Sequence, residues 1–348
     1  MRLAPLPPLV QSGWQLLKHL ATVRPQAPKA TIGLDIGSSS VKAVALGPRT
    51  TSGSWPLLAH QEVPLTETTD SSVQAAIQQA VGSLGISIKT VNLSVSGQAV
   101  IMRVVDMPKL APQELVQALP FEAQRYLPFN IQDVVLDGVP LGSTDGQKLQ
   151  VLIVACRRDL LEHRVAWARQ SGLEPGVIDV DALAIVNAWM DRQGDGQSAH
   201  GTHALLNLGA QWTNLVILKD RVPYLVRDIP WGAAHLARQV AEQLGVEEAA
   251  VTAQLLQGRS TTPELLAALK AGCESVTADL QLSFDFFESR FGTPPDRILV
   301  SGGLSQSSSV LDALKSHLAQ PVQTWAPREG LTGQFAVAYG LALRTDAG

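Results

Sequence analysis

The sequence predicts an α/β protein in which two similar sheet units clamp a ligand between them. Three observations carry this. Thr31–Leu46 reads as strand, turn, strand: Ile32, Leu34 and Ile36 alternate with smaller or polar residues, as do Lys42, Val44 and Leu46 with Val41, Ala43 and Ala45. That is the two-residue period of a strand. Ala204–Leu218 repeats the theme, with Asn207-Leu-Gly209 in the place of Asp35-Ile-Gly37, and internal repetition carries more than either motif alone. Finally, residues 231–295 have helical spacing almost throughout, so the second unit carries a helical layer.

Composition bounds the rest. The 348 residues suffice for two domains or one bilobed domain. An apolar fraction of 45% with 17% charged residues predicts a packed core and excludes bulk disorder. Twenty-seven basic against 31 acidic residues give a net charge of −4, which argues against a nucleic-acid surface. Cys156 and Cys273 each sit in an apolar or helical stretch and read as buried thiols. No apolar run approaches the length of a transmembrane helix. The start lacks a basic stretch leading into an unbroken apolar core, so no signal peptide is expected.

In chain order, residues 1–30 form a proline-rich leader, with Leu9, Trp14, Leu16, Leu17, Leu20 and Val23 spaced as a short amphipathic helix. After the first hairpin a third strand is expected at Leu57–Val63, a helix at Asp70–Leu84 and a buried strand at Thr90–Ser96. Residues 96–170 read as a compact unit: strands at Val100–Val105, Val134–Leu141 and Leu149–Cys156, a helix at Gln113–Arg125 kinked at Pro120, and a helix at Arg158–Ser171 ended by Gly172. A strand at Val177–Val180 and a helix at Ala182–Met190 follow. Asp191–His200 reads as a flexible link, with His200 and His203 as surface histidines. Further helices are expected at Trp231–Leu244, Val246–Gln257, Pro263–Phe291, Ser309–Leu318 and Gln334–Leu343, with a strand at Val222–Arg227 and another at Arg297–Leu304.

The candidate chemistry lies in the turns. Gly37-Ser38-Ser39-Ser40 offers free backbone N–H groups and three hydroxyls, which suit phosphate oxygens. Asp35 is placed to hold a metal-bound water, since Mg²⁺ keeps waters and takes few carboxylates. Lys42 would set a positive charge near terminal phosphates. An ordinary hairpin with a polar turn has the same residues, so the motif alone only favours nucleotide binding. In the repeat, Asn207, Gly209 and Thr213 take the corresponding places, Gly232 opens the next helix, and Gly302-Gly303 gives a backbone on which a purine ring can lie. Tyr126-Leu127-Pro128-Phe129 either packs inward or lines an apolar groove for a partner peptide, with packing favoured.

These three motifs, in this order, resemble the actin–Hsp70–hexokinase ATPase superfamily. Together with Gln124–Phe129, Gly172-Leu-Glu-Pro, Asp179-Val-Asp181, Arg227-Asp-Ile-Pro230 and Ser301-Gly-Gly303 they resemble the PilM family, the FtsA-like proteins of type IV pilus assembly, over about residues 31–345. The resemblance implies a bilobed actin-like fold. Residues 31–95, 171–198 and 330–348 would form the first lobe's core, 96–170 an FtsA-type inserted small subdomain, 199–230 and 296–329 the second lobe's core, and 231–295 its helical subdomain. It also implies ATP and Mg²⁺ in the cleft, with Asp35 as the metal-side carboxylate. The implied partner is the N-terminal cytoplasmic tail of a PilN-like inner-membrane protein, in a groove beside the small subdomain at Tyr126, Leu127, Pro128 and Phe129. Residence in the cytoplasm at the inner face of the inner membrane, a part in twitching motility and self-association belong to the same implication.

The sequence departs from the family at one chemistry. Asn207 stands where the family has Asp, and Gly232-Ala233 where a glycine pair is expected. The ribose-holding Glu and Lys would fall in Glu247–Leu255, which has no lysine. A weak or hydrolysis-incompetent nucleotide site with a scaffolding role is therefore expected. Two competitors remain. A small-molecule kinase would need a carboxylate as base for the acceptor hydroxyl, and Asp181 and Asp228 are available. An FtsA-like division protein would want a C-terminal amphipathic helix, for which Arg344–Gly348 is short and polar.

Overall fold

The computed structural model describes residues 30–143, 147–194, 200–257 and 262–345. The expected leader helix, residues 144–146 of the turn after Gly142, and residues 195–199 of the expected link lie outside the described residues.

Two five-stranded sheets repeat one topology. The first takes β1 (Thr31–Ile36), β2 (Ser40–Leu46), β3 (Leu57–Pro64), β4 (Thr90–Val95) and β8 (Glu174–Val180) in the order β3-β2-β1-β4-β8. The second takes β9 (Thr202–Leu208), β10 (Thr213–Lys219), β11 (Val222–Ile229), β12 (Arg297–Ser301) and β13 (Val322–Thr324) in the order β11-β10-β9-β12-β13. In each, the antiparallel hairpin strands are followed by parallel neighbours reached through helices. A three-stranded antiparallel sheet, β5-β7-β6, is built from β5 (Val100–Pro108), β6 (Val134–Ser143) and β7 (Lys148–Arg157).

The hydrophobic pattern explains the layers. β9 and the body of β10 are buried at every position up to Leu218, as strands covered on both faces must be. Leu205, Val216 and Leu218 point to one face, together with α4 (Asp181–Gln193) and α9 (Ala336–Ala342). Leu206, Leu208, Leu215 and Ile217 point to the other, against α5 (Ala233–Leu244), α7 (Pro263–Phe291) and α8 (Ser308–Lys315). α4 and α9 share that first core with Val44 and Leu46 of the first sheet, so one apolar cluster joins the two sheets. The first sheet's outer face packs on α1 (Asp70–Gly82) and on α3 (Arg158–Gln170), through Val73, Ile77, Ala80 and Ala168. The three-stranded sheet has its own cluster, with Leu115, Leu119 and Ala123 of α2 (Pro112–Ala123) against Val105, Met107, Val151 and Ile153.

Close backbone approach fixes α9. A Cβ on Gly340 would lie 1.8 Å from the Ala184 carbonyl oxygen, and one on Gly33 2.0 Å from that of Ala338. The Asn92 Nδ2 donates to the carbonyls of Leu341 (2.9 Å) and Arg344 (2.7 Å), and its Oδ1 accepts from Val177 N–H. Glycine at 33 and 340 therefore lets the helix sit between the first sheet and α4.

Several expected boundaries move. β5 runs on to Pro108 instead of ending at Val105, because Asp106, Met107 and Pro108 pair with β7. α4 runs to Gln193, so the expected link begins three residues later than Asp191. α6 (Glu248–Gln257) starts two residues after Val246. His203 is a core residue, not a surface one: it is 2% exposed, its Nε2 lies 3.0 Å from the His200 carbonyl, and its ring centroid is 5.2 Å from that of Trp189. Every position of β9 is covered on both sides, so a histidine there has no route to solvent.

Candidate functional site

The first hairpin concentrates charge. Asp35 and Lys42 face each other in the β1–β2 register, and the turn closes with Gly37 N–H donating to the Ser40 carbonyl (3.1 Å). The Lys42 ammonium donates to Ser40 Oγ (2.7 Å) and lies 3.9 Å from Asp35 Oδ2 and 3.7 Å from Glu62 Oε1. Ser39 is exposed, Ser38 and Gly37 half-buried, and Ser40 buried. The Asp35 side chain is only 13% exposed. Burial raises its pKa to about 6 against the pull of Lys42, and Asp181 adds to the rise.

A second cation, which sequence reading missed, stands behind this hairpin. Arg164 on α3 donates its Nη1 to the Ile36 carbonyl at 2.5 Å. Its field acts on both Asp35 and Asp181, and its Nε is buried with no hydrogen-bond partner among the described residues. The signal was present as a lone arginine on the inward stripe Leu161–Arg164–Ala168 of an amphipathic helix. Asp181, at the start of α4, is half-buried; desolvation raises its carboxyl, while the hydroxyls of Ser94 and Ser96 hold it down.

The second hairpin has no charge at its tip. Asn207 lies opposite Asn214 in the β9–β10 register, and Asn207 Nδ2 donates to Asn214 Oδ1 (2.9 Å). Gly209 N–H donates to the Trp212 carbonyl, and a Cβ on Gly209 would lie 2.7 Å from that oxygen. Thr213 faces inward: it is fully buried, and its hydroxyl donates to the Trp231 carbonyl (2.8 Å). Gly232 packs against the same hairpin. The N–H groups of Ala233 and Ala234 behind it donate to the carbonyls of Gly209 and Ala210, so the N-terminus of α5 is already capped.

Gly302 has φ +89°, and a Cβ there would lie 2.4 Å from the Leu208 carbonyl oxygen, so the chain turns tightly over the end of β9. Nothing lies within 4 Å of where a Gly303 Cβ would be, which leaves an open face for a flat ring.

Among the described residues no group of three or more His, Cys, Asp or Glu is placed to hold a metal ion. The residues present fit a divalent ion that keeps most of its waters and is held chiefly by phosphates, with Asp35 the carboxylate in reach. They fit less well at Asn207, whose amide donates to Asn214 and whose Oδ1 accepts from Ser301 Oγ (3.4 Å).

The sequence-predicted partner residues sit beside the three-stranded sheet, just past α2. Tyr126 is 40% exposed and donates its hydroxyl to Glu122 (3.1 Å). Pro128 is exposed and Phe129 half-buried; Leu127, also half-buried, packs on the α2 cluster. Phe121 of α2 is 78% exposed.

A family model for type IV pilus assembly protein PilM matches residues 33–346. The chain belongs to the PilM family. The structure of a PilM–PilN type IV pilus biogenesis complex superposes with a TM-score of 0.80 at 24% identity, covering 93% of this chain and 100% of that one. A ROK family glucokinase from Streptomyces griseus, solved with glucose and AMPPNP, matches with a TM-score of 0.52 at 16% identity over 90% of this chain and 98% of that one. A Bacteroides thetaiotaomicron protein with an actin-like ATPase fold matches at 0.50 and 10% identity, over 91% and 97%. The fold of this PilM-family chain is thus actin-like. Its two hairpins stand at corresponding places of the two sheets, and no helix among the described residues is long and apolar enough to cross a membrane.

Proposed function

We propose that this PilM-family protein is an actin-like adaptor of type IV pilus assembly. It binds ATP with Mg²⁺ weakly between its two hairpins and hydrolyses it little or not at all. Its partner is the cytoplasmic N-terminal tail of a PilN-like inner-membrane protein, which recruits it to the inner face of that membrane in the service of twitching motility. In this reading the first sheet with α1, α4 and α9 is one lobe core, the three-stranded sheet with α2 the inserted subdomain, and the second sheet with its helices the other lobe.

The observation that carries the reading is the asymmetry of the paired hairpins. Asp35 and Lys42 supply charge on one side, while Asn207 and Asn214 are bonded to each other on the other. A phosphate–metal group then has one protein carboxylate instead of two. A bound nucleotide would bring the phosphate charge and its ion; of the chain's own residues, Lys42 would supply counter-charge, Asp35 would accept from a metal-bound water, and Gly303 would offer a flat contact. The PilN partner of the superposed complex supports a PilN-like partner; the exposure of Tyr126 and Pro128 beside the small sheet supports that place for its tail. The two carboxylates a kinase reading would use as base are both engaged: Asp181 by Ser94 and Ser96, and Asp228 by Asn214 and Gly97.

Calorimetric titration of Mg·ATP, beside a pull-down with a PilN-like tail peptide, tests the proposal. The wild type should bind ATP in the micromolar range or weaker, and Asp35→Asn should weaken it about tenfold. Tail capture should fall in Tyr126→Ala. Phosphorylation of a small sugar by the purified protein, or tail capture indifferent to Tyr126, would count against it.

A further inference from the structure

Three hydrogen bonds run in one direction across the second sheet, and a fourth, donated by the β4–β5 connection, meets them at the last acceptor. Ser301 Oγ on β12 donates to Asn207 Oδ1 on β9 (3.4 Å). Asn207 Nδ2 donates to Asn214 Oδ1 on β10 (2.9 Å). Asn214 Nδ2 donates to Asp228 Oδ1 on β11 (2.8 Å). The other carboxylate oxygen of Asp228 accepts the backbone N–H of Gly97, in the connection from β4 to β5 (2.7 Å).

We infer that this relay is a metal-free clasp that fastens the second sheet to the β4–β5 connection, and that Asn207 is the residue whose amide completes it. Its polarity follows from chemistry. An ionised carboxylate only accepts, so Asn214 must turn its NH₂ to Asp228 and its carbonyl to Asn207. Asn207 must then donate to Asn214, which an aspartate there cannot do. The residue that departs from the family pattern is the one the relay requires. Three of the relay's side chains are buried, Asn207, Asn214 and Ser301 being 9%, 2% and 0% exposed, and Asp228 is half-buried. Trp212, at the tip of the second hairpin, covers the far end, where a Cβ on Gly97 would lie 3.1 Å from its Cε2. Gly97, at φ +90°, presents its N–H to Asp228 with no side chain in the way of that ring. The protein thus closes its two halves with its own groups, and a ligand that separates them has to break the Gly97 bond. This meaning of closure rests on the cleft reading above; the clasp itself does not need a nucleotide.

Amide hydrogen exchange of the full chain without nucleotide, read on peptides containing Gly97, tests it by a polarity swap. Asn207→Asp sets two oxygens face to face and should speed exchange about tenfold. Asp228→Asn lets both asparagines turn over, so that Asn207 donates to Ser301 Oγ, and exchange should stay within about twofold of wild type. The double variant Asn207→Asp/Asp228→Asn restores an unbroken relay running the other way, ending on the new carboxylate. Its exchange should return to within about twofold of wild type, and ATP binding plays no part in the readout. Unchanged exchange in Asn207→Asp, or a double variant as fast as the single, overturns the clasp. If Asn207→Asp fails to fold, recovery of folded protein in the double variant is the expected result, and no recovery overturns it.

Discussion

Asn207 stands on β9 where Asp35 stands on β1. Asp35 faces Lys42 across its hairpin, and Asn207 faces Asn214 across the other, at the same seven-residue spacing. The two hairpins have the same backbone and opposite chemistry, one charged and one amide, and the first prediction follows from that difference.

Lys42→Met removes the ammonium that lies 3.9 Å from Asp35 and 3.7 Å from Glu62. It should weaken Mg·ATP binding about tenfold in calorimetry, since a charge-assisted contact to phosphate is lost. Asn214→Lys, its counterpart on the second hairpin, should not restore the loss, because position 214 is 2% exposed and enclosed by the relay. Affinity equal to wild type in Lys42→Met would remove the first hairpin from the site.

Arg164→Met should destabilise the fold by about 1 to 3 kcal/mol in urea denaturation, because it removes the bond to the Ile36 carbonyl and leaves half-buried Asp35 and Asp181 with Lys42 as the remaining cation of the two that act on both. Arg164→Lys should recover part of this, having charge but no planar fork. A loss below about 1 kcal/mol would mean the two carboxylates are balanced by other groups.

Asp137 on β6 gives a pH signature. Burial raises its carboxyl to about 7 against the Gly138 N–H and Arg344, with Asp179 adding to the rise, and its Oδ2 has no hydrogen-bond partner among the described residues. The folded state therefore holds a proton that the unfolded state releases near pH 4, so this group's contribution to stability falls as pH rises from about 4 to about 7. Asp137→Asn should leave stability nearly unchanged at pH 4 and raise it by about 2 to 4 kcal/mol at pH 8. A variant equally destabilised at both values would show that the carboxylate is not what costs stability there.

Gly340→Ala drives a methyl group into the Ala184 carbonyl, 1.8 Å away on α4. Backbone cannot yield as a side chain can, so the cost should be about 3 kcal/mol or more. The melting temperature should drop by roughly 2–4 °C for each kcal/mol. A normal melting curve would mean that α9 can shift along α4.

Period and punctuation are local properties, and they were readable. The hairpins, the long α7 between Thr262 and Gly292, and the repeated sheet pattern all follow from alternation, spacing and capping residues. So did the charge of the first turn and the departure at Asn207. The chain by itself therefore determined a duplicated α/β fold with one charged and one neutral hairpin. What only the tertiary structure decided was which polar groups spend their hydrogen bonds on each other. Arg164 reaches Ile36 from 128 residues away, and Asp228 reaches Gly97 from 131. Thr213 turns inward to Trp231, and Asn207 joins a relay across four strands. Such pairings have no period along the chain: a buried donor or acceptor takes whichever partner packing brings within about 3 Å, because leaving it unpaired costs more than the bond gains.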